Sequence, residues 1–421
     1  MTPVGAPGTR RPLRVCMVHY SDYRTDSRIQ RLAGALAERG DEVHAVGVGA
    51  SGRTIRGHGS VEIHALAPDR RRGSARALLH GYAGFTAAAM RCVATLHARR
   101  RLDLVEAHNM PDALVAAALV PRLAGVPLIL NVHDTLPELF ETRFGVRGGG
   151  LLRLEERLSA AAADAVITVT EEAKAVLAAR GVGVNRTVVV MNSPDERVFG
   201  PPRPPVSVPD AGEVRAIYHG GLPERFGVEV LIRAVGALGE RVPRLRLSVL
   251  GSGDERDALA SLAAGVAPGR VSVAPRPVAF TDIPAQLEAA HIGVVPTLSD
   301  AFTNLLLPVK LLEYVHMGLP VASSRLAGIE RYFTGEELRY ADPGSPASLA
   351  DALAELCADP QAAAARAARA AERMRTLRWD EQRRGYLATV DDLVARRVAR
   401  TSRRWRTAWP PLELRTPVPR R

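Results

Sequence analysis

One pattern dominates this chain: a short β-branched run followed by a longer amphipathic segment, repeated through most of its length. In the first half the runs fall at 14–19, 42–48, 61–66, 103–107, 128–132, 165–169 and 188–190, with helical periodicity between them, as at 28–39 and 151–162. Near-continuous apolar strands separated by helices predict a parallel sheet covered on both faces. The segment 200–212, GPPRPPVSVPDAG, has no periodicity and reads as a semi-rigid linker. Beyond it the alternation restarts, with runs at 214–219, 245–250, 271–273, 292–296 and 320–323 and helical segments at 228–238, 255–263 and 310–317. A chain of 421 residues also exceeds the ~250–300 at which single cores stop growing.

The expected architecture is therefore α/β, two doubly wound Rossmann-like domains in tandem, facing across a cleft. The boundaries read as a disordered N-terminus at 1–12, a first domain at 13–199, the linker at 200–212 and a second domain at 213–378. A C-terminal helix at 379–399 and a basic, Pro-rich tail at 400–421 follow. The whole stretch 360–397 has a helical pattern in which Trp379 and Tyr386 face a domain. In such sheets ligands bind outside the carboxyl ends of the strands.

Charge narrows the partners less than it first suggests. The formal net charge is +11, with arginine clusters at Arg70, Arg71 and Arg72, at Arg99, Arg100 and Arg101, and between 396 and 406. A basic surface suits polyanions or anionic headgroups; it equally suits a solvated face. No aromatic-rich basic motif or finger spacing accompanies it, so a nucleic-acid partner is not expected. Three scattered cysteines form neither a disulfide framework nor a CxxC metal pair. No signal-peptide core and no apolar run of about 18–20 residues is present. The expectation is a cytoplasmic protein, with peripheral contact at the inner face of a membrane left open through the segment 70–101, basic at both ends and apolar between.

Three strand ends carry the candidate chemistry. The run 245–250 leads into Gly251-Ser252-Gly253, with a helix expected from about Asp254. Glycine lets the backbone approach a phosphate, and a helix N-terminus offers unpaired N–H groups. A tight structural turn is the alternative. The run 214–219 ends in Gly220-Gly221, followed by Arg225, which reads as a diphosphate contact or a surface arginine. At 307–313, Pro308 is expected at the first helical position. Lys310 and Glu313, three residues apart, share one helix face. A lysine in a first turn opposes the helix dipole unless an anion is near.

Here the sequence resembles a known family. The block PTLSDAFTNLLLPVKLLEYVHMGLPVASSRLAGIERYF, preceded by SVLGSGDE, is similar to the signature of retaining GT-B-fold glycosyltransferases of family 4. In the first half, RVCMVHYSDYRTDSRIQRLAGALAERGDEVHAV and VEAHNMPDALVAAALVPRLAGVPLILNVHDTLPELF resemble the same family over about residues 13–397. The resemblance implies that Glu313 binds the nucleotide ribose, that Gly251 and Gly253 line the diphosphate, and that Pro277 and Val278 hold the base. It implies that His133 orients the donor sugar or acceptor, and that Asp26, Ser27 and Arg28 lie in a loop over the donor. His108 and Asn109 are acceptor-side candidates, and His19 and Tyr20 end the first strand.

Departures accompany the match. Leu305 stands where the family's first Glu-x7-Glu glutamate belongs, with Asn304, Leu306 and Asp300 as nearby replacements for sugar contacts. Gly221 and Phe226 replace an arginine and a lysine, leaving Arg225 and Lys310 as cations. No Asp-x-Asp, HxxxH or HExxH occurs, so no metal and no other cofactor is expected. The resulting expectation is a hexosyltransferase-like enzyme that uses a nucleotide sugar without metal. Its acceptor is a glycan, a lipid-linked species or a small molecule, the setting polysaccharide biosynthesis. A nucleotide-sugar epimerase and a catalytically weakened scaffold subunit stay open as alternatives. Asp134 and Glu138 as a paired-carboxylate glycosidase fit this pattern less well.

Overall fold

The computed structural model describes residues 11–49, 54–56, 61–67, 75–144 and 149–408. The first sheet contains β1 (Arg14–His19), β2 (Glu42–Val48), β3 (Thr54–Arg56), β4 (Val61–Leu66), β5 (Leu104–His108), β6 (Leu128–Val132), β7 (Ala165–Thr168) and β8 (Thr187–Val189). Its order is β3-β4-β2-β1-β5-β6-β7-β8; β3 runs antiparallel to β4, while β4, β2, β1, β5 and β6 pair in parallel. Strands β1, β5 and β6 are almost wholly buried, as expected where helices cover both faces. The strand order reverses at β1, which has β2 on one side and β5 on the other.

The second sheet contains β9 (Val214–Gly221), β10 (Leu245–Ser252), β11 (Val271–Val273), β12 (Ile292–Val295), β13 (Val321–Ser324) and β14 (Arg339–Ala341), in the order β11-β10-β9-β12-β13-β14. Two apolar cores flank it. One gathers the helices Val228–Leu238 and Pro346–Ala358; the other gathers Val309–His316 with Phe333 and Met374. Each fully buried Leu or Val contributes about 1.5–3 kcal/mol, so the amphipathic faces read from sequence are what hold the helices to the sheet. Its order reverses at β9, between β10 and β12.

The strands β3 and β14, three residues each, were too short to show a period. The helical pattern at 360–397 divides into Pro360–Arg373 and Trp379–Ala408, with the second helix starting at 379 as expected, where Arg378 takes an extended backbone (φ −61°, ψ 154°). The second runs past Ala399, where the sequence pattern fades. Residues 1–10, Arg70, Arg71, Arg72 and 409–421 lie outside the described residues. Among those described, no helix is long and apolar enough to cross a membrane.

One polar group sits inside the first sheet. The side chain of Glu106, in the middle of β5, is fully buried. It accepts hydrogen bonds from Asn131 Nδ2 (3.1 Å) on β6 and from Tyr386 Oη (2.6 Å) on the last helix. Burying a carboxylate is costly unless donors replace its water. Tyr386 is itself completely buried, so this bond pins the helix beneath the sheet. Tyr386→Phe is expected to lower the urea unfolding midpoint by an amount equivalent to about 1–3 kcal/mol, the cost of leaving a buried acceptor short of a donor; an unchanged midpoint would refute that role.

Candidate active site

The carboxyl ends of β9 and β10 lie side by side, with Gly220 in register with Gly251 and Gly221 with Ser252. Their glycines are required by contact. A Cβ on Gly251 would stand 2.5 Å from the Gly220 carbonyl oxygen, and one on Gly253 3.1 Å from Leu222 Cβ. Gly220 has φ +124°, and a Cβ there would meet Lys310 Nζ at 3.1 Å. The bare backbone therefore makes room for the lysine, which arrives from the helix Val309–His316. Pro308 stands just outside that helix as its N-cap, one position earlier than expected.

Lys310 is held by two aromatic rings. Its Nζ donates to Tyr218 Oη (2.8 Å) and lies 4.0 Å from the Tyr218 ring centroid and 4.9 Å from that of Phe226. Tyr218 Oη in turn donates to the Gly221 carbonyl. Burial lowers the Lys310 amine from its ordinary range to about 7, with Glu313 opposing the shift. The chain has only two lysines, Lys174 and Lys310, and the one at the site can shed its proton near neutrality, as an arginine there could not.

Glu313 is buried, and its Oε2 lies 3.1 Å from His219 Nε2. The His219 backbone N–H donates to Tyr314 Oη (3.1 Å). Tyr218, His219 and Tyr314 were not anticipated. The signal was present as the YHGG ending of β9, but an aromatic next to a histidine in an apolar run reads as core. The group thus brings together an ammonium, a carboxylate and bare glycine backbone at the strand ends. Such a set fits an anion bearing hydroxyl groups.

The other expected residues of this domain have identifiable surroundings. The Arg225 guanidinium lies over the Phe302 ring, 5.7 Å from its centroid. Val278 is half-buried and packs on the core of the helix Val309–His316. The helix after the Gly251–Gly253 loop begins at Arg256, two residues later than expected. In the loop before Pro308, Asp300 Oδ1 accepts from the N–H groups of Phe302 (2.8 Å) and Thr303 (2.6 Å). Asn304 donates to Ser299 Oγ and the Asp300 carbonyl and accepts from the Ala327 N–H. Both are thereby engaged in shaping the loop that carries Leu305 and Leu306.

At the first sheet, His19, His108 and Asn131 stand in register at the ends of β1, β5 and β6. His19 is lowered to about 4, chiefly by burial and next by His108, against Asp26 and Asp22. Its Nδ1 lies 2.9 Å from Ser21 Oγ, which donates to Asp26 Oδ2 (2.7 Å). Asp26 also caps the helix Ser27–Glu38 through the N–H groups of Arg28 and Ile29. His108 Nε2 lies 3.5 Å from Glu106 Oε2, and the Asn109 N–H donates to the Asn131 carbonyl (2.9 Å). His133, just beyond β6, is buried.

Two doubly wound Rossmann-like sheets in tandem, each with its polar groups gathered at the ends of central strands, define the GT-B class. Residues 25–193 match the family described as glycosyl transferase 4-like domain, and residues 213–359 match glycosyl transferases group 1. The fold is similar to that of sucrose-phosphate synthase from Thermosynechococcus elongatus (TM-score 0.71, 18% identity, 94% of this chain and 100% of that one). It is also similar to Anabaena Alr3699/HepE in complex with UDP (0.64, 18%, 92% and 99%). A third similar structure is the UDP-forming α,α-trehalose-phosphate synthase from Burkholderia vietnamiensis (0.65, 16%, 91% and 100%). No curated protein matches in sequence.

The lysine pair allows a direct check. After reductive methylation with 13C-formaldehyde, the NMR signal that Lys310→Arg removes is expected to titrate near pH 7. Titration of that signal only above about pH 9.5, close to the ordinary lysine range, would show that the rings do not shelter the amine.

Proposed function

We propose that this protein transfers a sugar from a nucleoside diphosphate sugar to an acceptor hydroxyl, with retention of configuration and without a metal ion at the phosphates. The observation that carries the reading is the placement of Lys310 and Glu313 against the Gly220 and Gly251 strand ends. Glu313, steadied by His219, accepts the ribose hydroxyls. Backbone amides at the glycines and the Lys310 ammonium face the diphosphate, where fixed donors stabilise the charge that grows on the leaving group. The bond from the anomeric carbon to the phosphate oxygen breaks, and a bond to the acceptor oxygen forms on the same face. The acceptor proton passes to the departing phosphate. Support for the donor class comes from the group 1 domain match and from the Anabaena relative, solved with UDP and with UDP-glucose.

His133 orients the sugar or acceptor in this reading, with Asp26 and Ser27 holding the first strand–helix loop and His108 and Asn109 on the acceptor side. Arg225 adds a second cation, and Val278 packs beneath the base. Leu305 removes a carboxylate from the sugar's surroundings, so the donor sugar is gripped through Asn304, Leu306 and backbone. A glycan or lipid-linked acceptor and a cytoplasmic, membrane-peripheral setting complete the proposal.

Leu305 also motivates a second reading, a catalytically weakened subunit of an assembly complex. Mass spectrometry of a donor panel separates the two: release of nucleoside diphosphate from one donor supports transfer, and no release from any donor supports the second. For transfer, Glu313→Ala is expected to raise the donor Kd about 10–100-fold, the loss of hydrogen bonds to a charged acceptor; an unchanged Kd would sink the ribose assignment.

The pH dependence has a definite sign. A bound diphosphate raises the Lys310 amine above its free value of about 7. Binding therefore takes up a proton, and affinity is fully present below pH 7 and declines as pH climbs through the bound-state value. Calorimetry in buffers of different ionisation enthalpy at pH 8 is expected to show that uptake in the wild type and its loss in Lys310→Met. Equal proton balance in the two proteins would contradict the assignment.

A further inference from the structure

A second constellation lies in the amino-terminal half of the first sheet, separate from the strand ends described above. In the pairing of β2 with β4, His44 stands opposite Glu62 and Val46 opposite His64. Side chains two apart on a strand share a face, so Glu42, His44, Glu62 and His64 all project from the same side. His44 is in register with Cys16, three residues before the His19 end of β1. His44 is fully buried; the Glu62 and His64 side chains are 31% and 13% exposed, which leaves a path from solvent.

The separations are those of ligand atoms. His44 Nδ1 lies 3.1 Å from His64 Nε2 and 3.5 Å from Glu62 Oε2, and His64 Nε2 lies 3.8 Å from Glu62 Oε1. A tetrahedral ion with bonds of about 2.0–2.2 Å sets its ligand atoms roughly 3.3–3.6 Å apart; the two ring nitrogens, and each ring with its nearer Glu62 oxygen (Oε2 for His44, Oε1 for His64), lie close to that value. The other ring nitrogen, His44 Nε2, is 3.2 Å from Glu42 Oε1. A carboxylate there favours the proton on Nε2 and leaves the Nδ1 lone pair facing His64 and Glu62, as second-sphere carboxylates do for metal-bound histidines.

The competing reading is a simple histidine–histidine hydrogen bond beneath Arg100, whose guanidinium reaches Glu42 (3.1 Å) and Glu62 (3.9 Å). In that reading His44 Nε2–H faces Glu42 and His44 Nδ1 accepts from His64 Nε2–H at 3.1 Å. In the metal reading the ion takes the place of that one proton between the two rings, with the Glu62 carboxylate, 3.5 Å from His44 Nδ1, as its third ligand. Arg100, half-exposed, lies beside both carboxylates.

We propose that His44, His64 and Glu62 bind one divalent ion of the zinc class, with Glu42 orienting His44, and that the ion ties β2 to β4. Two imidazoles and one carboxylate select Zn2+, Ni2+, Co2+ or Cu2+ over Mg2+ and Ca2+, which take oxygen ligands. The set leaves a fourth position for water. The ion acts on the sheet and takes no part in sugar transfer, so the site stands or falls independently of the proposed activity.

The test uses the full chain without an affinity tag, stripped with a chelator and dialysed. Calorimetry is expected to show one Zn2+ bound per chain and no heat with Mg2+ at the same concentration. Co2+ is expected to give the visible absorption of a four-coordinate site. Glu62→Gln and His64→Gln, both at partly exposed side chains, are each expected to weaken Zn2+ by about 100-fold and to abolish the Co2+ spectrum. Zn2+ should raise the Tm of the wild type and leave that of Glu62→Gln unmoved, because only a bound ion shifts the folding equilibrium. Less than stoichiometric Zn2+, or uptake that survives both substitutions, would overturn the site. Should His64→Gln fail to fold, Glu62→Gln decides alone.

Discussion

Strands buried on both faces leave little room for polar side chains except at their ends, and this constraint organises the molecule. β1, β5 and β6 in the first sheet and β12 in the second run apolar for most of their length. Hydrogen-bonding side chains then collect where the strands leave the sheet, His19, His108 and Asn131 in one domain and His219 in the other, beside the glycines that end β9 and Gly251 in register on β10. Helices supply the remaining groups from outside. The position of a candidate site is thus a consequence of how the core is buried.

Within the second domain the same economy explains Lys310. An ammonium enclosed by Tyr218 and Phe226 is held by ring faces and one hydroxyl in place of a permanent carboxylate pair. Glu313, the nearest carboxylate on its helix, is engaged with His219. Burial has already loosened the proton of this lysine. Gly220 suits this arrangement because its φ of +124° strains any other residue and a Cβ there would crowd the lysine tip at 3.1 Å.

The interior exceptions to the rule are informative because each has its own compensation. Glu106 is tolerated through Asn131 and Tyr386, and the buried carboxylate thereby becomes the anchor for the last helix. His44 is flanked by carboxylates on both sides, an arrangement that a cation completes.

The segment 200–212, expected as a linker, packs Val208 into a core of the second domain and bonds through the Arg203 and Val206 N–H groups to the His316 and Gly318 carbonyls. The alternation of strand and helix and most strand limits were legible in the sequence, because periods of two and of about 3.6 follow from local backbone geometry. So were Gly220, Gly251, Lys310 and Glu313, which sit at fixed offsets from those strands. The partners of these residues were not legible. His219 meets Glu313 across 94 positions of chain, and Tyr386 meets Glu106 across 280; no local pattern encodes either pair. The histidines lack metal-binding spacing along the chain, yet parallel register between β2 and β4 sets His44 beside His64 and Glu62. Composition and periodicity determine which elements form and which faces are apolar. Which polar side chains meet is decided only when strands pair and helices pack, since register and packing are properties of the folded chain.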